Sequence, residues 1–140
     1  SGKGWYFYPE GARKGERDPE VEALIIDESK RLGIDRREIS NEEIVTRCMY
    51  ALVNEGAKVV DDGIVERPSD VDICYVNGMG FPASLGGPMF WADSIGLDKV
   101  YRDISDLRSK HDISWEPAPI LKKLALAGKS FSDLNVLSSE

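Results

Sequence analysis

Ser40-Asn41-Glu42-Glu43 opens the longest ordered pattern in this chain of 140 residues. S-x-x-E is a capping box: the Ser hydroxyl accepts from an orphan backbone N–H at the helix start, and the Glu reaches back. Ile44, Val45, Cys48, Met49, Leu52, Gly56, Val59 and Val60 follow as a wide apolar stripe at helical spacing, with Gly63 placed as the residue just past the end. The pattern predicts one helix from about Asn41 to Asp62, the central and most buried element of the fold. A helix with so broad an apolar face must be covered by other elements.

The rest of the chain offers further helices for that purpose. Asp18-Pro19 reads as an N-cap with Pro at the first helical position, and Val21, Leu24, Ile25, Glu28 and Leu32 run from it to a stop at Gly33. Ser69-Asp70-Val71-Asp72 is a second capping signal. The apolar run Val71–Val76 behind it suits a short helix or a buried strand; the cap and the lack of a strand partner favour a helix. Pro88 begins another helix to Ile95, closed by Gly96, and a surface helix from Asp98 is marked by Val100, Ile104, Leu107 and His111. Pro117 and Pro119 break the chain before a last short helix through Ile120, Leu121, Leu124 and Leu126, ended by Gly128. No stretch alternates as a strand should. The expected class is all-α, a single domain of about six helices. Residues 18–140 would form it, and residues 1–17 a lead-in whose aromatics Trp5, Tyr6, Phe7 and Tyr8 pack on a neighbouring surface. Ser1-Gly2 without an initiating Met reads as a cleavage scar, so a piece of a longer protein is expected.

Composition removes several functions. Eighteen basic against twenty-five acidic residues leave a net charge of −7, which argues against a surface that tracks nucleic-acid phosphates. No apolar run approaches the roughly 20 residues of a membrane span, and no signal peptide is visible. Cys48 and Cys74 form no CxxC pair and read as small core hydrophobes. The single histidine, His111, sits at a helix end beside Asp112, where a favourable dipole contact accounts for it. Asp61-Asp62 reads as a solvated pair. No cluster has metal-ligand spacing, and no metal, cofactor-binding or catalytic residue is assigned.

Two features call for closer reading. Gly78-Met79-Gly80-Phe81-Pro82-Ala83 matches G-x-G-x-x-G/A, but a dinucleotide fingerprint needs a preceding strand and a helix starting within it, where Pro82 stands here. These glycines are expected instead to supply positive φ and close packing. Glu55, between Asn54 and Gly56 in the apolar helix, is expected to be hydrogen-bonded and to brace the glycine-rich loop.

The residues Glu43 through Gly56, then Gly63-Ile64, Arg67-Pro68-Ser69-Asp70-Val71-Asp72, Tyr75–Pro82 and Gly86-Gly87-Pro88-Met89-Phe90-Trp91-Ala92-Asp93, closely resemble the C-terminal helical domain of 3-hydroxyacyl-CoA dehydrogenases. More narrowly, they resemble the second, last copy of that domain in multifunctional fatty-acid β-oxidation enzymes that also carry an enoyl-CoA hydratase domain. The resemblance implies a parent chain in which a Rossmann domain binds NAD and a first helical copy supplies an Asn in the pattern I-V-N-R. This sequence reads Ile44-Val45-Thr46-Arg47, with Thr46 at the Asn position. A hydroxyl cannot offer the amide's carbonyl and NH₂ together, so no catalytic residue carries over and the isolated chain is expected to be inactive and to bind no NAD.

What the resemblance implies instead is a structural, interdomain role. The chain would pack on the first helical copy, complete the acyl-CoA cleft and mimic the dehydrogenase dimer, with Gly78, Gly80, Phe81, Pro82, Gly87 and Pro88 as a substrate-facing or interdomain loop. A cytoplasmic (bacterial) or peroxisomal location follows. Homodimerisation of the piece through an uncovered apolar face is expected. The alternative is a free-standing helical binding or dimerisation module without catalysis.

Overall fold

Ser40 caps its helix as the sequence predicts: its hydroxyl accepts from the Glu43 N–H at 3.1 Å, while the Glu43 carboxylate meets Arg47 at 2.9 Å. The computed structural model describes residues 4–111 and 113–135. Its helices are α1 (Pro19–Arg31), α2 (Asn41–Asp61), α3 (Pro68–Gly78), α4 (Pro88–Ile95), α5 (Leu97–Lys110) and α6 (Pro119–Ala127). Short 3-10 turns lie at Ala83–Leu85, Ile113–Trp115 and Phe131–Leu134. The described residues contain no strand, so the all-α expectation holds. Val71–Val76 lies within a helix.

The chain divides into two compact units, one within Ser1–Ile39 and one within Ser40–Glu140. In the first, Asp18 caps α1 by accepting from the Glu20 N–H at 3.0 Å, with Pro19 at the first helical position. The lead-in folds back on itself through one antiparallel bridge, in which Phe7 and Glu16 exchange hydrogen bonds of 3.0 and 2.7 Å. Gly15 makes that reversal possible, because a Cβ there would sit 2.8 Å from Tyr6 Cβ and 3.0 Å from the Tyr8 ring. Trp5, Tyr6, Phe7 and Tyr8 stay exposed.

The second unit is built around α2, but not on the face that hydrophobic spacing suggests. The buried residues of α2 are Tyr50, Val53, Asn54, Gly56 and Ala57. Ile44 and Val45 are 48% and 59% exposed, Cys48 is exposed, and Met49, Leu52, Val59 and Val60 are only partly covered. The helix therefore has two apolar faces. Its core face packs chiefly on α4 and α6, and Val53, Val100, Ile104 and Leu121 are fully buried there. Each such side chain contributes about 1.5–3 kcal/mol by leaving water. Cys48 belongs to the outer face, and Cys74 on α3 also faces out, so neither is a core hydrophobe.

Two close approaches fix how the helices meet. A Cβ on Gly56 would lie 2.7 Å from Met89 Sδ and 3.1 Å from Val71 Cγ1, so α2, α3 and α4 converge at that glycine. Gly87 is buried at φ +105, with the Asp72 side chain where a Cβ would stand, 2.4 Å from Asp72 Cβ. On the α2–α5 side, the buried Tyr50 hydroxyl donates to Asp103 at 2.6 Å, and Lys99 donates to the same carboxylate oxygen at 2.5 Å. Trp91 tilts against the Tyr50 ring at 6.1 Å. Burial pushes the Asp103 carboxyl up, but hydrogen bonds from Lys99 and Tyr50 and the Lys99 charge bring it below the usual carboxylate range. Burial and the bond to Asp103 raise the Tyr50 phenol.

Two outcomes follow from this packing. Gly87→Ala places a Cβ on Asp72 at a positive φ that an L side chain resists, and should cost about 3 kcal/mol in urea unfolding. Asp103, held ionised in the folded state, stabilises fully above about pH 4, and that contribution is lost as pH falls through its lower folded value. Urea midpoints measured from pH 6 downward should drop more steeply for the wild type than for Asp103→Asn, and parallel profiles would contradict this.

Candidate functional site

Three helices of the second unit begin with proline and have no cap from the side chain before it: α3 follows Arg67, where Asn135 accepts from Ser69 N at 3.0 Å, α4 follows Gly87, and α6 follows Ala118. Their first free N–H groups still need acceptors. Asp72 on α3 supplies one for α4, accepting from Met89 N at 2.7 Å and from Phe90 N at 3.2 Å. Burial pushes the Asp72 carboxyl up, while those two donors pull the other way. Asp61, at the end of α2, accepts from Ile120 N at 2.8 Å and so caps α6. It is exposed, yet it is not the purely solvated charge that its neighbour Asp62 suggests. Asp93 on α4 holds the last turn, accepting from Phe131 N at 2.7 Å, Ser132 N at 2.9 Å and the Ser132 hydroxyl at 2.7 Å.

Asn54, only 3% exposed, completes the set. Its amide accepts from Ala118 N at 2.9 Å and donates to the Glu116 carbonyl at 2.9 Å, fixing the segment that leads into α6. The brace expected of Glu55 therefore falls to its neighbour and on a different segment. Glu55 is exposed and pairs with Lys58 at 3.5 Å. One residue along a helix turns a side chain by about 100°, which separates a buried amide from a solvated carboxylate.

The glycine-rich loop splits into inward and outward parts. Phe81 is buried edge-on against Tyr75, with ring centroids 6.4 Å apart, and its N–H bonds to the Tyr75 carbonyl at 3.1 Å. Gly87 and Pro88 are buried at the start of α4. Gly78, Gly80 and Pro82 are exposed, as is Met79 at 77%. A Cβ on Gly78 or Gly80 would meet nothing within 4 Å, so only the positive φ of Gly80, +71, calls for glycine there. Close packing is confined to Gly86 and Gly87.

The Gly78–Ala83 motif does not have the setting of a dinucleotide fingerprint. Gly78 is the last residue of α3, and only a three-residue 3-10 turn follows Pro82, so among the described residues the motif lacks the strand before it and the helix starting within it that the fingerprint needs. Among the described residues no three His, Cys, Asp or Glu side chains gather as metal ligands. His111 is exposed at the end of α5, where its N–H bonds to the Leu107 carbonyl; Asp112 beside it lies outside the described residues. Thr46 is half-buried in the second turn of α2, beside Arg47. The surface that stands out is the outer face of α2, on which Ile44, Val45 and Cys48 are exposed, with the buried Arg47 Nε lacking a hydrogen-bond partner next to it. No helix of the described residues is long and apolar enough to cross a membrane.

Residues 44–132 match the family described as "3-hydroxyacyl-CoA dehydrogenase, C-terminal domain", from the first turn of α2 into the last 3-10 turn. The chain is 39% identical to the peroxisomal bifunctional enzyme of Danio rerio over 131 residues, 91% of its own length, and 38% identical to that of Homo sapiens over 131 residues. It is 34% identical over 131 residues, 94% of its length, to the fatty acid oxidation complex subunit alpha of Shewanella amazonensis. It spans 18% of the length of each of these relatives. By this match and by its helical architecture, the chain belongs to the 3-hydroxyacyl-CoA dehydrogenase family, through that family's C-terminal domain.

Proposed function

We propose that this chain serves as the structural, interdomain helical module of a multifunctional β-oxidation enzyme that oxidises 3-hydroxyacyl-CoA with NAD and hydrates 2-enoyl-CoA. The observation that carries this reading is the outer face of α2. A row of exposed aliphatic side chains, Ile44 and Val45 with Cys48, begins where the family match begins, in a chain that spans 18% of its relatives. Exposed apolar rows of this kind are what a domain leaves open for a neighbour. In the parent, the neighbour is the first helical copy, and docking on it completes the acyl-CoA cleft.

The same reading gives the chain no catalytic residue. Thr46 offers one hydroxyl where a substrate-positioning amide would be needed, and NAD belongs to a Rossmann domain elsewhere in the parent. The exposed part of the loop, Gly78 to Gly80 with Pro82, is the substrate-facing or interdomain contact, while Phe81, Gly87 and Pro88 hold it in place from inside. Relatives named as peroxisomal and as bacterial support a peroxisomal or a bacterial cytoplasmic setting.

Two measurements check this reading. Calorimetric titration of the chain with NAD should give no saturable heat; micromolar binding would overturn the assignment of NAD to another domain. Left without its neighbour, the outer face of α2 should pair with a second copy. The sedimentation coefficient should rise with protein concentration for the wild type, whereas Val45→Glu should remain monomeric. A wild type that stays monomeric from micromolar to millimolar concentration would remove the docking role of this face.

A further inference from the structure

Asp18 is 6% exposed, the deepest acidic side chain of the first unit. One carboxylate oxygen accepts from the Glu20 N–H at 3.0 Å. Among the described residues the other oxygen has no hydrogen-bond partner. The residue lies in a cleft of about 550 Å³ bounded by Trp5, Tyr6, Val21 and Ile25, with Arg17 and Glu22 also lining it. Arg17 and Glu22 are hydrogen-bonded to each other, so their charges cancel. The N-terminus of α1 offsets about half of the charge on Asp18. What remains is a partial negative charge at the base of a cleft with indole, phenol and aliphatic walls, Trp5 being 74% exposed.

That combination suits one chemistry. An aromatic face attracts a cation electrostatically, a buried carboxylate anchors it by a charge-assisted bond, and Val21 and Ile25 would cover the aliphatic stem that a lysine or arginine brings. A free metal ion would leave those walls idle, and an anion would be repelled. We propose that the cleft between the lead-in and α1 is a receptor for a basic side chain, arginine or lysine, presented between aliphatic residues on a partner segment. This inference stands on the first unit alone and does not depend on the role assigned to α2.

The probe is the peptide acetyl-Leu-Arg-Leu-amide, titrated into the full chain while the Trp5 indole N–H resonance is followed. The resonance should shift and saturate. Acetyl-Leu-Gln-Leu-amide should bind about tenfold more weakly or not at all. Asp18→Asn keeps a residue that caps helices as well as Asp does and removes only the charge, so it should weaken the Arg peptide by the same factor while the spectrum of α1 is unchanged. Equal binding of the Arg and Gln peptides to the wild-type chain would overturn the proposal, as would the absence of any saturable shift at Trp5. The peptide comparison needs no variant, so misfolding of Asp18→Asn would not blur the outcome.

Discussion

The proline-initiated helices of the second unit are capped from a distance. A helix that begins with Gly-Pro or Ala-Pro has the right φ for its first residue but nothing local to accept from the N–H groups that follow. In this chain Asp72 serves α4 from α3, Asp61 serves α6 from α2, and Asp93 serves the last 3-10 turn from α4. Asn54 locks the segment before α6 by one donated and one accepted bond. Each bond contributes only about 1 kcal/mol net, but leaving its buried partner unmet costs more. The apolar core is non-directional; these four side chains choose which helix end meets which neighbour.

The legible parts of the fold were the ones written locally. Ser40 with Glu43, Asp18 with Pro19, Pro88 with Gly96, and Gly128 all mark ends within a few residues of the bonds they serve, and the helices lie there. What spacing could not tell was which face of α2 points inward. That helix is apolar on more than one side, and its core face includes a tyrosine and an asparagine that hydropathy discounts. The mistaken burial of Cys48 follows from that one ambiguity. Tyr50 can enter the core because Asp103 accepts from its hydroxyl, and Asn54 because both halves of its amide find backbone partners. Neither partner is predictable from separations of 53 and 62 residues. One signal was available: a proline-initiated helix with no cap implies a carboxylate elsewhere.

The loop that resembles a nucleotide fingerprint shows why a motif must be read in its setting. Gly78 and Gly80 lie at a helix end in open space, whereas Gly87, outside the motif, has a positive φ and the Asp72 side chain where a Cβ would stand. The spacing alone would have directed attention to the wrong pair. The inward half of the loop is architecture, and any contact with another domain or a substrate is left to the exposed half.

Asn54 has a consequence for how the polypeptide is made. Its partners lie at residues 116 and 118, and the acceptor for Ile120 is Asp61. On the ribosome, α2 emerges long before the segment that seals its buried polar side. Until α6 leaves the exit tunnel, a nascent α2 shows apolar surface on two faces instead of one. That interval is when a chaperone would have the most to hold.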